Sequence, residues 1–173
     1  MSAIEPSDLP TASLLRTYSA GTGYADCFVA EVPGATPLAA FVEAFYTSPL
    51  FKVERAILRA LAARPSTDEQ ARDLASGART TFAAWGVEDR QSDQLLLADF
   101  TGRTRSWLMV EPFEATAGAR GTRLYFGSAV VPRKNKRTGA ESMGLAFHAL
   151  QGFHKLYSRL LLRSARARLL ARS

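Results

Sequence analysis

After Glu141 this sequence holds no acidic residue at all. From Arg133 to the end stand ten Lys or Arg, so that stretch carries a net +9; the first 132 residues, with twelve basic and fifteen acidic, carry −3. Such asymmetry points to a basic end suited to an anionic surface. Cysteine is almost as scarce. Cys27 stands alone, which excludes an intrachain disulfide and a cysteine-based zinc site. It lies in "DCFVAEV" near Asp26 and Glu31, where a buried, inert thiol is expected and a nucleophile is not. The two histidines, His148 and His154, would project about 120° apart on one helix, so they cannot clasp a single metal.

Other absences narrow the function further. No apolar run approaches the roughly 18 residues that cross a bilayer. There is no G-x-S-x-G, no P-loop and no H-E-x-x-H, and Gly21-Thr22-Gly23 precedes a strand pattern instead of following one. No cofactor or metal is implied. The opening "MSAIEPSDLP" is acidic and proline-punctuated, unlike a secretory signal, so a cytoplasmic protein is expected. What remains is ordinary globular composition, 173 residues with 47% apolar and 22% charged, enough for one buried core.

Residues 1–22 read as an N-terminal arm and 23–173 as a single domain. "YADCFVAEV" (24–32) alternates like a strand and ends at Pro33-Gly34. Thr36-Pro37 has the form of a helix N-cap and first turn, and Leu38, Phe41, Val42 and Phe45 then make one apolar stripe. Ser48-Pro49 repeats the start signal for a second helix striped by Leu50, Val53, Ile57, Ala60 and Leu61. Ser66 and Glu69 have capping-box spacing for a short third helix stopped by Gly77. "ARTTFAAWGVED", "DQLLLADF", "RTRSWLMVEPF" and "GTRLYFGSAVV" follow as four strands of an antiparallel meander. The loop "PRKNKRTG" leads to a long helix from about Ala140. The fold class is therefore α+β: a curved antiparallel sheet with helices after its first strand and a long C-terminal helix packed on it.

The order of elements, with "YADCFVAEVPG", the helix pair after it, "AVVPRKN" and "FHKLYSRLLLRSA", resembles a bacterial family of the helix-grip, START-like (SRPBCC) superfamily over residues 24–165. That resemblance implies a hydrophobic small molecule held between the sheet and the last helix. It also places His154 at a position where such proteins tend to have a histidine.

On a helical wheel, Met143, Ala146, Phe147, Leu150, Phe153, Tyr157, Leu160, Leu161 and Ser164 share a core face. Lys155, Arg159, Arg163 and Arg166 fall near the opposite side, while Leu156, Leu162, Leu169 and Leu170 lie off the core face. The leucines between the arginines are thus explained by packing, and the arginines by solvent. Candidate cavity residues are Trp85, Arg105, Trp107, Met109, Tyr125, Phe126, Ser128, Phe153, His154 and Tyr157. Candidates for an anionic surface are Arg133, Lys134, Lys136 and Arg137 in the loop and Lys155, Arg159, Arg163 and Arg166 on the helix.

The leading expectation is a binding module for a hydrophobic or lipid-like small molecule. One alternative is a cyclase- or dehydratase-like enzyme using His154 and Tyr157 as acid and base. Another is a basic helix that meets an anionic membrane. Nucleic acid fits less well, because the aromatics sit at core-like positions. A homodimer through the off-face leucines is a further expectation.

Overall fold

The computed structural model describes residues 3–19, 23–63, 65–114, 118–131, 133–134, 141–142 and 145–172, with backbone alone for 61–62, 133–134, 141–142 and 145–154. A two-residue strand, Glu5–Pro6 (β1), and a 3-10 turn, Leu14–Tyr18, precede the first long strand, Tyr24–Pro33 (β2). Three helices follow: Leu38–Tyr46 (α1), Pro49–Ala62 (α2) and Asp68–Ser76 (α3). Then come Thr81–Phe82 (β3), Trp85–Arg90 (β4), Gln94–Asp99 (β5), Thr104–Glu114 (β6) and Arg120–Val130 (β7). A small hairpin, Arg133–Lys134 (β8) with Glu141–Ser142 (β9), leads to the final helix, Leu145–Leu170 (α4). The segment expected to be a loop thus contributes β8, and Glu141–Ser142, expected in the first turn of the final helix, is β9, so that helix is assigned from Leu145 instead of about Ala140.

The main sheet is antiparallel in the order β1-β2-β7-β6-β5-β4-β3, so the first long strand lies beside the last. α4 packs on α1 and β2, with lighter contact to α2 and β7. This is the helix-grip architecture expected from the order of elements. Local signals were close but not always in place. Ser48 caps α2, accepting from the Phe51 N–H at 3.4 Å. Pro37, not Thr36, occupies the cap position of α1, with no side-chain bond. The Thr36 N–H instead donates to Thr122 Oγ1. The capping box of α3 is Thr67 with Gln70, one residue later than Ser66 and Glu69. Ser66 is used elsewhere, accepting from Arg55 Nε at 3.0 Å.

Both faces of the sheet are apolar, because side chains alternate across it and both sets are covered. Phe28, Leu95, Leu108, Leu124 and Phe126 face the helices, where Phe41, Phe45, Tyr46, Phe51 and Phe82 fill the space between. Phe45 and Phe126 lie 4.6 Å apart between ring centroids. The opposite face holds Cys27, Leu96, Trp107, Met109, Tyr125 and Ala129, and the N-terminal segment covers it with Leu15, which is fully buried. Gly127 makes room for that leucine: a Cβ there would sit 2.7 Å from Leu15 Cδ2 and 2.8 Å from the Asp26 carbonyl oxygen. Gln94 clamps the segment. Its Oε1 accepts from Leu14 N–H and Trp107 Nε1, each at 3.0 Å, while its Nε2 donates to the Ala12 carbonyl at 2.9 Å. The N-terminal arm, through Leu14 and Leu15, therefore covers the second face of the sheet.

The stripe of α2 corrects another expectation. Val53 and Ile57 are 57% and 52% exposed, whereas Phe51 is buried. The period correctly indicates a helix, but its buried side is rotated toward Phe51. The same happens on α4. Leu162 and Leu169, expected off the core face, are buried, and Leu160, expected on it, is 41% exposed. The buried face is centred on Ser158 and Ala165, small residues that let α4 approach its neighbours closely. A wheel weighted by large apolar residues misses that centre.

Candidate functional site

Three inward positions on the sheet break its apolar pattern, and register places them in one row. Asp26 on β2 pairs with Ser128 on β7, which pairs with Ser106 on β6. Asp26 Oδ1 accepts from the Ser128 N–H at 3.1 Å and from Ser128 Oγ at 2.7 Å. Tyr24 donates its hydroxyl to Asp26 Oδ2 at 3.3 Å. At the other end of the row, Tyr46 Oη and Ser106 Oγ are 3.2 Å apart. Ser106, Ser128 and Tyr46 are all buried. The next row inward is aromatic and aliphatic, with Phe28, Phe126, Leu108 and Leu95 in register. Polar groups thus border an apolar floor, and each buried one has a hydrogen-bonding partner.

The Asp26 end of this row opens to the outside. There an open groove of about 850 Å³ runs between β2, the N-terminal segment and α4. Leu9, Ala25 and Phe28 supply apolar surface, and Arg16, Lys155 and Arg159 supply positive charge. β1 pairs only with Val29 and Phe28, and Ser7 N–H reaches the Cys27 carbonyl. Beyond Cys27, β2 is therefore the outer edge of the sheet along the groove. Cys27 itself is not a nucleophile. Burial first, then Asp26 and Asp8, push its thiol pKa up to about 12. A second groove of about 680 Å³, near Pro37, Val110 and Phe113, is apolar and lies at the far end of the strands.

No protein-family model and no curated protein matches this chain.

Among the cavity candidates, Ser128 stands in the polar row and Phe126 on the apolar floor beside it. Trp85 packs against the same core from β4, between Phe82 of β3 and Asp99 of β5 and far from β2. Trp107, Met109 and Tyr125 lie on the opposite face, beneath the N-terminal segment, and do not look toward α4. Arg105 is on that face as well. Its Nε lies 2.7 Å from Glu88 Oε2 and its guanidinium 4.5 Å from the Tyr18 ring, while Tyr18 donates to Glu88. The physical reason is parity. After Ser106, "WLMV" is apolar at every position, so the sequence does not reveal that odd and even residues serve different cores.

Tyr157 is turned toward α2 and is not among the residues that line the groove. Its hydroxyl donates to Glu54 Oε2 on α2 at 2.5 Å. Burial, and then the carboxylate beside it, push the phenol well above its usual range, which makes it a poor proton donor to substrate near neutral pH. The side chains of Phe153 and His154 lie outside the described residues, as do Lys136 and Arg137 entirely. Arg133 and Lys134 form β8, with only their backbone described. On α4, Lys155 and Arg159 line the groove, and Arg163 is exposed. Arg166 is not a free surface charge: its Nε donates to the Glu31 carbonyl at 2.8 Å and ties α4 to β2. Among the described residues no three His, Cys, Asp or Glu are grouped to hold a metal, and no helix is long and apolar enough to cross a membrane.

Sequence reasoning missed Asp26, Ser106, Tyr46 and Arg16. The signal for the first two was present. A polar residue at the same parity as Phe28 or Leu108, within an apolar strand, marks either a functional row or a bonded core group.

Proposed function

We propose that this chain is a binding module for a hydrophobic or lipid-like small molecule with an anionic head, of the helix-grip, START-like kind that its sequence resembles. The observation that carries the reading is the groove of about 850 Å³ in which Leu9, Ala25 and Phe28 adjoin Arg16, Lys155 and Arg159. Its size suits a small ligand, since such sites commonly span about 300–1,000 Å³. The apolar surface takes the chain of the ligand. The three cations outnumber the Asp8 and Asp26 carboxylates of the same groove and neutralise the head, for which charge-assisted hydrogen bonds are the strong contacts. Asp26, already accepting from Ser128 and Tyr24, sets the polar limit at the inner end.

The test is titration of a fluorescent long-chain fatty acid, kept below its micellar concentration, into the full chain. Saturable binding is expected. The double variant Arg16→Glu, Lys155→Glu should weaken it by roughly tenfold or more, because two attractive charges become repulsive. No saturable binding, or binding indifferent to both charge reversals, would remove this reading. An uncharged long-chain alcohol of the same length should bind more weakly than the acid.

A further inference from the structure

Residues 156, 160, 163 and 167 of α4 follow one another at helical spacing and share a ridge on its outer side. Leu156 is 55% exposed and Leu160 is 41% exposed, and Arg163 and Ala167 are exposed beside them. The ridge borders a shallow groove of about 460 Å³ whose other wall is Ala3 and Ile4 of the N-terminal segment. Arg159 closes one side by donating to the Ile4 carbonyl at 3.4 Å. Ile4, Leu156 and Leu160 therefore form an apolar strip among Arg159, Arg163 and Arg166. No acidic side chain occurs anywhere along α4.

We infer that this ridge is a docking surface for an anionic lipid bilayer. Two exposed leucines one turn apart are of little use to a protein that only needs solubility, since lysine or glutamate there would serve better. Exposed arginines alone would suit any polyanion. The combination suits an interface whose outer layer is negative and whose inner layer is hydrocarbon. Leucines enter the acyl boundary while Arg159 and Arg163, on long flexible stems, stay at headgroup level. Charge chooses the partner: a second copy of this chain would bring the same basic ridge against itself.

Leu156, Leu160 and Arg163 do not line the fatty-acid groove, so this inference and the preceding one fail separately. The experiment is co-sedimentation of the full chain with vesicles of phosphatidylcholine alone or with one-third phosphatidylglycerol. Binding to the anionic vesicles is expected, falling as salt rises from low to physiological ionic strength. Leu156→Ser with Leu160→Ser should reduce it by roughly tenfold while the salt dependence persists. Arg163→Glu should reduce both the binding and its salt dependence. All three positions are exposed, so thermal melts should match the parent and show that lost binding is not lost folding. Equal binding to neutral vesicles, or no binding, overturns the inference. So does unchanged binding by the serine variant. Concentration-dependent self-association that the serine variant abolishes, in a protein that ignores vesicles, would assign the ridge to a second copy instead.

Discussion

Tyr157 on α4 and Glu54 on α2 meet through a 2.5 Å hydrogen bond, with the phenol as donor. Burial raises the carboxyl pKa of Glu54, and the bond from Tyr157 offsets only part of that rise. The folded protein therefore holds this proton more tightly than the unfolded chain. The stabilisation linked to it is fully present below the ordinary value of 4.5 and is lost as pH climbs through the raised pKa. Glu54→Gln keeps an acceptor for Tyr157 and removes the buried charge. It should stabilise the protein at alkaline pH and flatten the fall in stability as pH rises above 4.5. Urea unfolding midpoints of parent and variant across that range check this, and parallel pH slopes would refute it.

The fit of Leu15 against Gly127 gives a second prediction. Leu15→Ala should cost about 2–5 kcal/mol, as large-to-small changes at fully buried sites do. Gly127→Ala should also destabilise, because its Cβ meets Leu15 Cδ2 and the Asp26 carbonyl oxygen. Together the two changes should cost less than their separate costs predict, since shortening Leu15 relieves one of the two clashes. A double-mutant cycle by denaturant unfolding measures the difference. Strict additivity would mean that the Asp26 carbonyl and the Trp107 ring, 3.0 Å from such a Cβ, set the Gly127 penalty without Leu15.

A third prediction tests the rotation of α4. Leu162→Ala should cost about 2–5 kcal/mol, and Leu160→Ala no more than about 0.5 kcal/mol. The wheel based on large apolar residues ranks them the other way. Thermal or urea unfolding of the two variants decides between the orientations.

Local chemistry made much of the architecture legible in the letters. The alternation of 24–32 became β2, Ser48-Pro49 divided α1 from α2, Gly77 ended α3 at a φ of 85°, and the last three of the four later segments became antiparallel strands, while the first, 78–89, turns back on itself at Ala83 and Ala84 to give β3 and β4. These features depend on residues a few positions apart, which a sequence displays directly. The charge asymmetry and the long basic helix are likewise properties of the chain alone. The two-residue strands β1 and β3 were not legible, because their pairing is set by neighbours and not by any pattern of their own.

Tertiary structure alone decided which apolar side faces which partner. Trp107 and Leu108 are adjacent, equally buried, and belong to different cores because the N-terminal segment returns to cover the sheet's second face. Nothing in "SWLMV" states that a cover exists, and Leu15 reveals it only once Gly127 is seen beneath it. The same limit applies to α4. Periodicity gives the existence of an amphipathic helix, but its rotation follows from close approach at Ser158 and Ala165 and from Arg166 reaching the Glu31 carbonyl. The polar row was hidden for a related reason. Asp26, Ser128 and Ser106 stand on three strands far apart in sequence, and only pairing register brings them side by side.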